Sequence, residues 1–255
     1  MKIDCATHIQ VLLLATSGLM ARAQLPNQEL SQARELLALA NHARAVGGLG
    51  ELAWDETLAA AAQMHCRRMA AEGPLAHRYD GEPDLTARAG AAGAHFSAIE
   101  ENIAVGSDPA TIQQGWLDSP EHRANLFSPS IDHVGIAVVK EGQLIFVVAD
   151  YARAVPALSQ AEVETQFGAL LRARGLMVLR DTTDARTYCQ SNERYHGGDP
   201  PSFLFRWQDP DVKHLPDPVL EQLAVGRYHR AAVGSCTPRG VNGAFTIYRV
   251  AVLLY

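Results

Sequence analysis

Apolar residues in the first half of the chain recur at helical spacing. Leu30, Ala33, Leu37 and Ala40 share a face, which predicts a helix from an Asn27 cap to about Ala45, ended by Gly47-Gly48. Leu58, Ala62, His65 and Met69 share a face of a second helix, capped by Asp55 after Trp54 and stopped by Gly73-Pro74. On that face His65 reads as a packed histidine, not a ligand. From Leu75 to Ile99 the pattern is irregular, with one short helix near Asp84 to Ala91. Glu100 to Ala104 reads as extended, and Asp108 caps a helix through Trp116. Val134–Val139 and Leu144–Ala149 are β-rich runs joined at Glu141-Gly142, a hairpin signal. Helices followed by an antiparallel hairpin make this half an α+β unit.

After Ala154 the pattern begins again. Ser159 opens a helix to Arg174, Leu176–Leu179 is a strand candidate, and Asp181 caps a helix near Cys189. Phe203–Trp207 reads as a strand, Pro216 opens a helix to Ala224, and Tyr228–Val233 with Ala244–Leu254 resembles a second hairpin. Leu30-Ser31-Gln32-Ala33 recurs as Leu158-Ser159-Gln160-Ala161, and His133 before one hairpin matches His229 before the other. The second half therefore reads as a smaller α+β domain built as a degenerate copy of the first.

Composition narrows the function. The chain has 255 residues, 47% of them hydrophobic and 20% charged, enough for one or two domains with real cores. The net charge is −6 and no Lys/Arg run occurs, which argues against a nucleic-acid partner. No apolar stretch reaches the length of a membrane span. The first 23 residues resemble an export signal. Lys2 is followed by a mostly apolar run, Ile9 to Met20, and by Ala21-Arg22-Ala23 as an A-x-A cleavage site before Gln24. Removing them takes the net charge to −7 and leaves Cys66, Cys189 and Cys236. The expected location is outside the cytoplasm, secreted or periplasmic. Cys66 reads as a buried thiol, and Cys189 and Cys236 could pair in an oxidising compartment.

Four polar islands stand out: Ala76-His77-Arg78-Tyr79-Asp80-Gly81, Glu100-Glu101-Asn102-Ile103-Ala104, Trp116 to Leu126 (containing Ser119-Pro120-Glu121-His122-Arg123-Ala124-Asn125-Leu126), and His133-Val134-Gly135-Ile136-Ala137. With these the chain resembles the CAP superfamily, the SCP/PR-1-like domain, in its bacterial secreted form. The resemblance covers about Leu30 to Tyr151, and the Ser-Pro-x-His-Arg-x-Asn-Leu string is its most specific part. Glu100 departs from the usual Gly before the Glu. The resemblance implies a three-layer α-β-α sandwich over residues 24–154, followed by the domain at 155–255. It also implies a cleft of two histidines and two acids, which carry over as His77, Glu101 and His122. Glu121 is the preferred second acid, with Asp118 as the alternative.

Such a tetrad has two chemical uses. Two neutral imidazoles, His77 and His122, can hold a divalent metal, with carboxylates in the outer shell. Two protein ligands make a weak site, with Zn²⁺ the expected ion. Alternatively, a His–Glu pair can move protons, or the groups can serve as a structural hydrogen-bond network. Neither a Gly-x-Ser-x-Gly nor a His-Glu-x-x-His occurs. Three functions follow as expectations: a secreted module binding a metal or an extracellular lipid, glycan or protein; a metal-assisted, peptidase-like hydrolase of the envelope; or an envelope structural protein.

Overall fold

The computed structural model describes residues 17–191, 194–241 and 243–255, with side chains from residue 28. Residues 1–16, which carry most of the expected export signal, lie outside the described residues.

The first half runs α1 (Ser17–Val46), β1 (Ala53–Trp54), α2 (Glu56–Glu72), α3 (Leu85–Ala91), β2 (Phe96–Gly106), α4 (Pro109–Asp118), α5 (Pro120–Leu126), β3 (His133–Glu141) and β4 (Leu144–Ala154). Its starts are set by local chemistry. The Asp55 carboxylate accepts from the Thr57 and Leu58 amides, Asp84 from Ala87 and Asp108 from Thr111, each satisfying donors a first turn leaves open. The start of α1 corrects one expectation. Asn27 is no cap, and the helix passes through it from Ser17. Pro26 removes only one N–H, while the flanking Ala, Leu, Gln and Arg residues all favour helix. The helix stops at Gly47-Gly48 as expected, with Gly48 at φ 75°.

These strands form one sheet in the order β1-β3-β4-β2. Val134 to Val138 of β3 are buried without alternation, so both faces of the sheet are covered. α2 takes one face and touches β3 at Gly135. A Cβ on Gly135 would fall 2.0 Å from the Ala59 nitrogen and 2.2 Å from the Leu58 carbonyl carbon, so only glycine permits this approach. Ala62, Cys66 and Met69 then pack on Ile103, Ala137 and Val148. α1 and α4 pack together as the other helical layer. The result is the α-β-α sandwich expected of the sequence.

The second half repeats this order: α6 (Gln160–Arg172), β5 (Met177–Val178), α7 (Thr183–Gln190), β6 (Phe203–Asp209), α8 (Asp217–Ala224), β7 (Arg230–Cys236) and β8 (Tyr248–Leu254). Ser159 and Glu162 form a capping box at the start of α6. Its sheet order, β5-β7-β8-β6, reproduces the first sheet strand for strand. β7 and β8 pair antiparallel, with Val233 opposite Val252 and Cys236 opposite Arg249. Phe167 and Leu171 of α6 and Val219 of α8 pack with Val233, Val250, Val252 and Leu254. On the other face α7 meets β7 at Gly234, where a Cβ would lie 2.2 Å from the Arg186 nitrogen. Gly234 therefore stands where Gly135 stands in the first sheet, and His229 directly precedes β7 as His133 opens β3. Cys189 of α7 and Cys236 of β7 form a disulfide, and Cys66 is free and buried.

By compactness the chain divides into two units. The first runs up to Tyr79 and includes Glu101–Pro129 and Val134–Asp150. The second comprises Asp80–Glu100, Ser130–His133 and Tyr151–Tyr255.

Candidate functional site

His77, Glu101, Asp118, Glu121 and His122 all fall in the first unit. His77 lies in the loop after α2, and α2 pins that loop. The buried His65 ring meets the Ala76 carbonyl at 3.0 Å through Nε2, and the Tyr79 hydroxyl donates to the Pro74 carbonyl at 2.8 Å. His65 is thus the packed histidine expected, and it positions the residue just before His77.

Glu101 sits on β2 and is buried, with 6% of its surface exposed. Its Oε1 lies 2.8 Å from His77 Nδ1. With Glu101 ionised, His77 donates from Nδ1, and the ring lone pair is placed on Nε2. His122 is half-buried in the short helix α5. A chain of amides fixes it to β2: Asn102 donates to the His122 carbonyl at 3.0 Å, and Asn125 donates to Asn102 Oδ1 at 3.0 Å and to the Glu101 carbonyl at 3.1 Å. Burial, then the charge His77 carries when protonated, push the His122 pKa down from 6.5, and Glu121 opposes them. His122 is therefore held as neutral imidazole at neutral pH.

The two candidate acids differ. Glu121 is exposed in the first turn of α5, and its charge bears on His122. Asp118 is exposed at the end of α4 and accepts from Gln114 at 2.9 Å, an ordinary i,i+4 surface pair. Ser119 precedes Pro120 at the start of α5, and its side chain makes no capping bond. Outside this group, His133 bonds to Asp132 at 2.8 Å and His95 to Thr246 at 3.2 Å. Burial pushes the Cys66 thiol up to about 12, which removes it as a nucleophile.

Sequence reasoning passed over two residues that build the site. Asn102 is fully buried and links both halves of the His–Glu group. Arg44 is also buried, and its guanidinium donates to the carbonyls of Gly50, Leu126 and Ser128, tying the end of α1 to the end of α5. An arginine in the last turn before Gly47-Gly48 was the available signal for the second; for Asn102 it was its place in the Glu100-to-Ala104 island, which gave no hint of its partner.

Residues 37–151 match the model of the CAP family, described as the cysteine-rich secretory protein family. An uncharacterized protein of Bacillus subtilis, YkwD, is 27% identical over 123 residues, 47% of each chain. The uncharacterized membrane protein YlbC of the same organism is 31% identical over 107 residues, 41% of this chain and 31% of that one. The chain thus spans less than half the length of either relative. Among solved structures, an extracellular protein containing an SCP domain from Bacillus anthracis aligns with a TM-score of 0.48 and 27% identity, covering 51% of this chain and 43% of that one. An outer surface protein of Borrelia burgdorferi aligns with a TM-score of 0.46 and 20% identity, over 49% and 93%.

Proposed function

Residues 37–151 make this chain a member of the CAP superfamily, of bacterial type, and on that premise we propose that it is an exported protein whose His77–Glu101–His122 cleft binds a divalent metal weakly. The observation that carries the proposal is the 2.8 Å contact between His77 Nδ1 and Glu101. A carboxylate behind one imidazole nitrogen orients the other toward a ligand, the usual outer-shell arrangement of metal-bound histidine. His122, kept neutral by burial, supplies the second ring, and Glu121 adds negative charge nearby. The donor set suits Zn²⁺ over Mg²⁺, because imidazole is the softer ligand. His77 and His122 would hold the ion, which would act as a Lewis acid or a template for an extracellular lipid, glycan or protein. The disulfide in the C-terminal half supports an oxidising location, and no helix among the described residues is long and apolar enough to cross a membrane. Cleavage before Gln24 is the expected processing, read as the mature mass from the native host; an intact Met1 on most molecules would refute it.

A structural role is the second reading, favoured by the amides of Asn102 and Asn125 bonding to backbone carbonyls. Hydrolysis, the third, would use Glu101 and a histidine as a proton-transfer pair. Zn²⁺ calorimetry at pH 7.5 separates them. Metal binding requires that His77→Ala/His122→Ala lose affinity with little change in stability, and that Glu101→Gln lose roughly 10–100-fold, the usual cost of an outer-shell partner. Equal affinity in all three proteins, with lower stability in the variants, would leave a structural network. Turnover lost on substitution would identify a hydrolase.

A further inference from the structure

α2 and α7 hold the same place in two sheets of one strand order, each crossing a glycine of its central strand. Yet α2 runs 17 residues and α7 only eight. The face of the second sheet beside α7 carries arginines. Arg206 on β6 pairs with Ala251, and Arg249 lies two residues before Ala251 on β8, so alternation sends both side chains to one face. That face is the one α7 covers, because Ala251 packs with Cys189 and Cys236.

Two of the arginines near this face are occupied. Arg206 donates to the Ser191 carbonyl at 2.7 Å and lies 3.9 Å over the Tyr188 ring. Arg239, after β7, donates to the Gln190 carbonyl. Both thus take carbonyls at the C-terminal end of α7, its negative pole. Arg249 differs. It is 7% exposed, and among the described residues its guanidinium makes no hydrogen bond and no ion pair. Besides burial, the groups that perturb it are Arg239 and Arg206, both cations; together they lower its pKa. None of its nitrogens is sealed from solvent, so an unpaired guanidinium beside two like charges stands open to an anion. Tyr188 and Arg206 also border a groove of about 550 Å³ with Arg194, Tyr195 and Leu204, which offers room for an organic body.

We propose that Arg206, Arg239 and Arg249 form a site for a doubly charged tetrahedral oxyanion of phosphate type. Planar guanidinium forks fit such an oxyanion, and three cations match a dianion better than a single carboxylate. The site belongs to the second half of the chain and does not use the His77–Glu101 cleft.

The test is calorimetry and thermal melting of the full chain in inorganic phosphate, with sodium sulfate and sodium chloride at matched ionic strength. Phosphate should bind and raise the melting temperature where chloride does not. The sulfate arm shows whether the site prefers a phosphate or a sulfate ester. Arg249→Met should lose at least tenfold in phosphate affinity. Without phosphate it should melt no lower than the wild type, because a like-charge contact has been removed. Arg239→Gln, on an exposed loop, should weaken binding without disturbing the fold, and Arg174→Gln, away from the site, should change nothing. A wild type indifferent to phosphate would overturn the proposal. So would an Arg249→Met protein that keeps the phosphate response, or one that melts several degrees lower without phosphate.

Discussion

Replacing both partners of the Cys189–Cys236 disulfide by alanine should loosen the C-terminal half far more than any single surface change. The bridge joins positions 47 apart. In the chain-entropy model, closing a loop of that size removes unfolded-state freedom equivalent to about 4 kcal/mol at 25 °C. For the roughly 100 residues of this half, an unfolding entropy of about 0.2 kcal/mol/K converts that loss to about 15–20 °C in melting temperature. Alanine avoids burying two hydroxyls among Ala251 and Tyr188, so the shift reports the cross-link more than a new polar penalty. Differential scanning calorimetry of Cys189→Ala/Cys236→Ala against the wild type reads it. Limited proteolysis would locate the first cuts, which are expected within residues 155–255. A transition within about 5 °C of the wild type would refute the reasoning and mean that the unfolded half stays compact without its cross-link.

Gly135→Ala should cost more than the roughly 1–3 kcal/mol of ordinary overpacking, because the added methyl meets the Leu58 and Ala59 backbone and not a movable side chain; urea unfolding would show it, and an unchanged midpoint would refute the close approach. Cys66, with its thiol pushed up to about 12, should alkylate at pH 8 about 1,000-fold more slowly than an ordinary thiol and at a normal rate once unfolded; rapid labelling of the native protein would contradict its burial.

What the sequence disclosed and what it hid follow from the range of each interaction. The helix starts at Asp55, Asp84, Asp108 and Ser159 were legible because each cap acts within three residues of itself. Asp181 was nearly so: it accepts from the Thr183 amide, although Thr182 is the cap residue of α7. The start of α1 was missed because a good cap residue at Asn27 does not stop a helix whose preceding residues also favour one. Long-range contacts left weaker marks. The Ser-Pro-x-His-Arg-x-Asn-Leu string pointed to His122, and only the resemblance could suggest that His77, 24 positions from Glu101, would meet it. Asn102 stood inside one of the polar islands, but its role stayed hidden because it bonds to a backbone carbonyl brought over by another helix. The repeat showed in the order of elements, while the glycines that make it physical, Gly135 and Gly234, gave no periodic signal.

The central claim, that His77 and His122 form one ligand pair backed by Glu101, is tested most directly by the imidazole nitrogens. Long-range ¹H–¹⁵N NMR at pH 7.5 distinguishes the two tautomers of each histidine and follows each ring during a Zn²⁺ titration. His77 should carry its proton on Nδ1, and His122 should be neutral. Stoichiometric Zn²⁺ should shift both rings together and leave His95 and His133 unmoved. At pH 5.5 the same titration should need more metal, because protons compete for the rings, although His122 resists them through its lowered pKa. A His77 protonated on Nε2 alone, or Zn²⁺ that moves only His95 and His133, would contradict the claim.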